Sequence, residues 1–234
     1  MKSTIQDKTR LVNSVFTKVY KKYDLMNDVM SLGVHRIWKN KLIDWMNPKL
    51  NDNLIDVASG TGDIAKLFSQ KNNNRAKISC VEPNEEMFGI GKSNLKNFEN
   101  IQWYKNKAEK LPFKNNTFDF YTISYGIRNV TDINLSLKEA YRVLRPGGRF
   151  FCLEFSKINN ELIQFLYKQY SKAIPFLGKF IVGESQPYDY LIKSINEFYT
   201  QQELADLMKK NDFSNIEYRN LSNGISAIHS GWKI

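Results

Sequence analysis

The sequence predicts an α/β fold with a doubly wound, mostly parallel sheet, and three observations predict it. Leu54-Ile55-Asp56-Val57 is a short apolar run that stops in the small-residue turn Ala58-Ser59-Gly60-Thr61-Gly62-Asp63, after which the apolar-periodic segment Ile64-Ala65-Lys66-Leu67-Phe68 begins. That order is strand, tight loop, helix. About twenty residues on, Ile78-Ser79-Cys80-Val81 reads as a second buried strand that ends in the carboxylate of Glu82. Further aromatic and β-branched runs at 101–105, 118–125 and 149–155 alternate with helical spacing over 84–95 and 132–144, each helix opening on a residue able to cap it. In such sheets ligands sit outside the carboxyl ends of the strands.

The loop after the first strand is a nucleotide-binding turn in outline. Gly60 and Gly62 allow dihedrals and close backbone approach that a Cβ forbids. The free N–H groups at the helix start face whatever sits above the strand end. Glu82 falls where doubly wound folds hold a ribose diol. A glycine turn alone often does no more than close a loop; here the strand, helix and acid around it favour the binding role.

Ahead of this core, Leu11, Val12, Val15, Phe16 and Val19 recur at three-and-four spacing, so residues 8–23 form a helix with one apolar face. Residues 23–38 then crowd Asp24, Asn27, Asp28, His35 and Trp38 around Gly33, a pattern unlike a plain amphipathic helix. Structurally, Asp24 and Ser31 can cap helix starts while His35 and Trp38 fill a core edge; functionally, the same polar groups can face a substrate. Residues 36–46 form another helix, closed by Asn47-Pro48. Residues 158–199 are rich in Phe, Tyr and Ile, among them Phe165, Tyr170, Phe176, Tyr188, Tyr190 and Phe198, and read as an insertion outside the sheet. Most of these aromatics suit a packed helical layer; an apolar cavity over the site is the other use. At the end, 215–221 and 225–231 flank the turn signal Ser222-Asn223-Gly224, a hairpin pattern.

Composition bounds the partners. The 234 residues fit one domain, 42% hydrophobic and 25% charged, as in an ordinary soluble protein. A net charge of +10 invites nucleic acid, an anionic membrane surface or an acidic substrate, or it is a solvated basic face with no partner. Residues 1–10 are polar with no apolar stretch behind them, so no secretory leader is expected. No run approaches the ~20 apolar residues of a membrane span. Cys80 and Cys152 fall in buried strands, as small core residues of a reducing compartment do.

Tyr23-Asp24, Met26-Asn27, Ser31, His35 and Trp38, in that register, resemble the first signature of the UbiE family, the ubiquinone and menaquinone biosynthesis C-methyltransferases. Arg142-Val143-Leu144-Arg145-Pro146-Gly147-Gly148, running on to Leu153-Glu154-Phe155-Ser156, is similar to the second. Leu111-Pro112-Phe113, Phe118-Asp119 and Ser124-Tyr125-Gly126-Ile127-Arg128-Asn129-Val130 match between them. The resemblance implies a Rossmann-like class I S-adenosylmethionine (SAM)-dependent methyltransferase with a seven-stranded, mostly parallel sheet, an antiparallel C-terminal hairpin and a helical lid. It divides a single domain, 1–234, into an N-terminal helical cap (1–48), a SAM-binding core (49–157), a lid (158–199) and a C-terminal helix and hairpin (200–234). The implied substrate is a prenylated quinol, demethylmenaquinol or 2-polyprenyl-6-methoxy-1,4-benzoquinol, methylated on a ring carbon without a metal.

Carried over position by position, the resemblance puts Gly60 and Thr61 at the methionine part of SAM, Glu82 at the ribose, Lys107 and Ala108 at the adenine and Ser124 on the sulfonium side. Tyr23, Asn27, His35 and Tyr125 face the quinol; Arg128, Asn129 and Asp24 are the catalytic candidates. A guanidinium is a poor proton acceptor, so Arg128 is read as stabilising the ring oxyanion and orienting a water, with Asn129 bonded to the ring oxygen. The plainer alternative for Arg128 is an ion pair with an acid at a loop corner. The proton acceptor stays open. Three positions depart from a common pattern: Ala58 from the first glycine of the broader methyltransferase turn, as the UbiE family itself tends to, Ser59 from a glycine frequent in the family, and Glu82 from its usual aspartate. Lys107 is a fourth, replacing asparagine, which leaves open whether its backbone or its side chain meets the adenine.

Two other classes remain in play. An RNA methyltransferase would suit the charge but would often carry an Asn-Pro-Pro-Tyr type of motif where Ser124-Tyr125-Gly126-Ile127 stands, and no RNA-binding module is appended. A non-catalytic scaffold would be expected to lose Asp24, Asn27, Arg128 and Asn129, which are all present. Nucleic acid is therefore not an expected partner. The expected location is the cytoplasm, with the basic surface visiting the inner face of an anionic membrane; a homodimer or biosynthetic-complex partners are left open.

Overall fold

The computed structural model describes residues 12, 14, 15, 17, 28, 31, 33–158, 164, 170 and 186–234. Helix α1 (His35–Met46) leads into β1 (Leu54–Val57), α2 (Asp63–Lys71), β2 (Ile78–Val81), α3 (Glu85–Asn94), β3 (Ile101–Tyr104), β4 (Phe118–Ser124), α4 (Ile133–Val143) and β5 (Leu144–Phe155). Helices α5 (Gln186–Glu197) and α6 (Gln201–Lys210) precede the strands β6 (Ser214–Leu221) and β7 (Ser226–Trp232). The helix expected over 8–23 lies mostly outside the described residues; Val12, Ser14, Val15 and Thr17 are helical. Of the 158–199 segment, the structure describes its first residue, positions 164 and 170, and 186 onward.

The seven strands form one sheet in the order β3-β2-β1-β4-β5-β7-β6. The first five are parallel neighbours, from Leu54 opposite Ile78 and Phe120 to Ile123 opposite Cys152. β7 runs antiparallel to both β5 and β6, with His229 opposite Cys152 on one side and Tyr218 on the other. The hairpin turn is longer than an Asn-Gly pair alone: Leu221 faces Ser226, and Asn223 and Gly224 between them both have positive φ.

Side chains alternate across the sheet as a period of two requires. Leu54, Ile78, Cys80, Phe151 and Leu153 enter a core roofed by α1, α2 and α5, while Ile55, Val57, Phe150 and Cys152 enter the opposite core, roofed by α4 and α6. Each fully buried Leu, Ile or Phe there contributes roughly 1.5–3 kcal/mol. β5 begins five residues before the expected 149–155 run, because Leu144 already pairs with Phe118 and a register shift follows. Gly148 permits that bend, since a Cβ there would lie 3.0 Å from the Phe118 carbonyl.

The helix starts follow from their caps. The side-chain oxygens of Asn84 and Asp132 accept the N–H groups of Met87 and Leu135, each at 3.1 Å. Thr200 and Glu203 form a reciprocal capping box on α6. α1 ends where Asn47 turns left-handed, at φ 47°, before Pro48. α1 is tied to the start of α2 by Lys39 Nζ, 2.6 Å from the Asp63 carboxylate.

Candidate active site

Most of the groups of interest gather at the carboxyl ends of β1, β2, β3 and β4. After Val57 the chain turns through three residues of positive φ, Ala58 (53°), Gly60 (56°) and Gly62 (89°). Ser59 stitches the turn to β2. Its hydroxyl donates to the Asp56 carbonyl at 2.6 Å and accepts from Val81 N–H at 3.1 Å, and its own N–H donates to the Val81 carbonyl at 3.2 Å. Gly62 caps α2 and leaves its first-turn N–H groups without a side-chain cap.

Glu82, immediately after β2, accepts the N–H of Gly60 on Oε2 and the N–H of Asn84 on Oε1, both at 2.9 Å. Burial pushes its pKa up to about 7 against those two bonds. Each oxygen keeps acceptor capacity beyond its one N–H. Asp56, on β1 below, is likewise pushed up to about 7 by burial; Oδ1 accepts from Thr122 Oγ1 at 2.8 Å, and Oδ2 has no hydrogen-bond partner.

β4 ends at Ser124, whose buried Oγ has no hydrogen-bond partner. Tyr125 then adopts φ 54°, a left-handed conformation unusual for so large a residue, and the chain enters a short 3-10 turn over Ile127–Asn129. Gly126 lets this corner pass the β1 loop, because a Cβ there would stand 2.6 Å from the Cβ of Ala58. The turn gathers two donors on the Tyr125 carbonyl, Arg128 Nη1 at 2.8 Å and Asn129 Nδ2 at 3.5 Å. Arg128 Nη1 also donates to Glu154 Oε1 at 2.5 Å, in an ion pair whose side chains are 4% and 2% exposed. Burial pushes the Glu154 carboxyl up while the adjoining guanidinium pulls it back down. The Tyr190 hydroxyl, from α5, donates to Asn129 Oδ1 at 2.8 Å.

An open cleft joins these parts. Gly60, Glu82, Asn84 and Met87 line one side, Lys107, Ala108 and Glu109 the next, and Tyr125, Gly126, Asn129 and Thr131 the opposite wall. Glu109 also fastens the wall, accepting the N–H groups of Thr131 (2.6 Å) and Asp132 (3.2 Å) on Oε1.

Of the sequence-predicted residues, Gly60, Glu82, Lys107, Ala108, Tyr125 and Asn129 share this cleft. Thr61 is buried next to Gly60, and Ser124 precedes Tyr125. Arg128 lies behind the wall on Glu154, the acid-paired arrangement that was the plainer alternative. His35 is buried at the start of α1, its Nδ1 2.9 Å from Ser31 Oγ and 3.7 Å from Asp28; burial lowers its pKa to about 4. Tyr23, Asp24 and Asn27 lie outside the described residues. Sequence reasoning missed Met87, Glu109 and Glu154 as site residues, and named Tyr190 only among the aromatics of 158–199. Only Glu154 carries a signal, an acid inside the apolar run Phe150-Phe151-Cys152-Leu153-Glu154-Phe155.

The strand order, the antiparallel β7 and a glycine loop facing an acid at the end of β2 define a class I SAM-dependent methyltransferase. Solved structures share the fold. A SAM-dependent methyltransferase from Thermotoga maritima superposes with TM-score 0.66 at 23% identity, covering 94% of this chain and 99% of that one. One from Aquifex aeolicus gives 0.61 at 16% identity, covering 84% and 89%. The chain belongs to the ubiE/COQ5 methyltransferase family, whose pattern matches residues 2–233. The ubiquinone/menaquinone biosynthesis C-methyltransferase UbiE of Rickettsia bellii (strain OSU 85-389) is 50% identical over 235 residues, covering 97% of this chain and 94% of that protein. Its counterpart from Brucella suis is 44% identical, covering 97% and 87%.

Proposed function

We propose that this chain transfers a methyl group from S-adenosylmethionine to a ring carbon of a prenylated quinol, either demethylmenaquinol or 2-polyprenyl-6-methoxy-1,4-benzoquinol or both. One observation carries the reading: Gly60, Glu82 and Ala108 share a single cleft with Tyr125 and Asn129, which supports a donor side and an acceptor side within one space. The residues fit the donor. Glu82 has lone pairs left for a vicinal diol, the unpartnered Ser124 Oγ stands at the end of β4, and the glycine loop has the positive-φ turn beside Thr61 that the methionine chain would need. Lys107 is exposed and Ala108 buried, which suits adenine contact through the Lys107-Ala108 backbone.

When bound, S-adenosylmethionine supplies an electrophilic methyl on a sulfonium. The chain's own work is to align the ring carbon, exclude water and stabilise negative charge on the ring oxygen. A ring carbon becomes nucleophilic when a hydroxyl on the ring loses its proton, and a phenol holds that proton to a pKa of about 10. Asn129, which lines the cleft, is the proposed donor to the ring oxygen, through Nδ2. Arg128, one residue earlier, adds positive potential from behind the wall, moderated by Glu154. Asp24 is the remaining catalytic candidate, and Tyr23 and Asn27 are the proposed ring contacts. His35, buried and neutral, serves that segment as a support bonded to Ser31.

Residues 1–48 and 158–199 act in this reading as the cap and lid over the core. Among the described residues no helix is long and apolar enough to cross a membrane. The net charge of +10 supports visits to an anionic surface where prenylated quinols dissolve. The test supplies purified protein with methyl-labelled S-adenosylmethionine and each demethylated quinol in turn. Label is expected in the extracted quinol; a protein that binds the donor and labels neither quinol would refute the proposal.

A further inference from the structure

The hydrogen bond that Asn129 receives comes from outside the sheet. Tyr190 sits on α5, its hydroxyl donates to Asn129 Oδ1 at 2.8 Å, and α5 packs on the 3-10 turn that carries Asn129. A primary amide has an accepting end and a donating end. Left alone, the group can rotate so that its carbonyl, with its partial negative charge, faces a ring oxygen that is becoming an anion. The other contact of the amide, from Nδ2 to the Tyr125 carbonyl, is long at 3.5 Å and holds that end weakly.

We infer that Tyr190 is a positioning residue for methyl transfer, pinning Asn129 Oδ1 so that Nδ2 presents its N–H to the ring oxygen. This rests on the reading of Asn129 given above. Burial raises the pKa of the Tyr190 phenol, so the hydroxyl keeps its proton and remains a donor throughout the neutral range. Tyr190 makes no bond to the reacting atoms in this scheme; it acts through Asn129. Helix α5 thereby becomes a working part of the active centre as well as a cover for it.

The test is a double-mutant cycle of Tyr190→Phe and Asn129→Ala, assayed with labelled donor and whichever quinol the wild type methylates. Tyr190→Phe removes one oxygen and keeps the ring, so its thermal midpoint stays near that of the wild type. Its kcat falls about ten-fold, the scale of one lost hydrogen bond in the transition state, while donor affinity by calorimetry stays within about two-fold. The double variant is no slower than Asn129→Ala alone, since an amide that is gone cannot be misaligned. The inference is overturned if Tyr190→Phe turns over like the wild type, if its loss falls on donor affinity, or if the two losses multiply in the double variant. Absence of transfer by the wild type would count against the proposed function instead, which keeps the two failures apart.

Discussion

Replacing Glu154 by Gln tests how the floor behind Asn129 is held. The substitution keeps shape and an acceptor oxygen but leaves the Arg128 guanidinium, 4% exposed, without its counter-ion. Removing one partner of a buried pair costs about 3–5 kcal/mol. For a chain of this length each kcal/mol lowers the melting temperature by about 2–4 °C, so Glu154→Gln should melt about 6–20 °C below the wild type. The reverse substitution should be milder. Arg128→Met strands a carboxylate that can take up a proton, whereas a guanidinium cannot release one. In that variant the buried Glu154 has a folded pKa above its unfolded value, so the stability it contributes is complete at low pH and lost as pH rises through the folded pKa. Arg128→Met should therefore approach wild-type stability near pH 4 and fall behind above it. Arg128→Met with Glu154→Leu should be near neutral, because the wild-type pair already leaves Arg128 Nε and Glu154 Oε2 without hydrogen-bond partners. Chemical denaturation with circular dichroism across pH measures all three. Equal costs for the two single variants, with no pH trend in Arg128→Met, would refute the reasoning.

Three further outcomes are expected. Glu82 is raised to about 7 from an ordinary 4.5, so the protein without donor should lose stability between those pH values, by about 3 kcal/mol from this group; Asp56 titrates in the same window. Glu82→Gln should remove about half of that slope and also flatten the rise of donor affinity from pH 6 to 8; calorimetry showing both trends unchanged would dismiss Glu82 from the ribose site. Gly126→Ala brings a methyl to 2.6 Å from the Ala58 Cβ and should cost about 1–3 kcal/mol and weaken donor binding; wild-type values in both would mean the corner yields freely. Flotation with liposomes should recover more protein when anionic lipid is present, and equal recovery on neutral lipid would remove the membrane from the account.

The core of the fold was legible because each signal is local. A small-residue turn between an apolar run and a periodic one is a strand-loop-helix wherever it occurs, and Asn84, Asp132 and Thr200 cap by bonds three residues away. That Gly60 and Glu82 meet on one wall of the cleft was legible for the same reason, since both stand at strand ends whose order the alternating pattern implies. The rest needed the third dimension. Ser59 looks like a departure until its hydroxyl is seen joining β1 to β2. Tyr125 gives no local sign of positive φ, because bulky residues rarely adopt it. Tyr190 lies 61 residues from Asn129, on a helix whose aromatics read equally well as packing.

The most direct test of the central claim locates the methyl carbon after turnover. With carbon-13 in the donor methyl and the demethylated quinol as acceptor, carbon nuclear magnetic resonance of the extracted product should show a single methyl bonded to a ring carbon, and that signal should build up about 100-fold more slowly in Asn129→Ala while donor binding survives. A methyl on the hydroxyl oxygen, or on co-purified RNA with none in the quinol, would contradict the account.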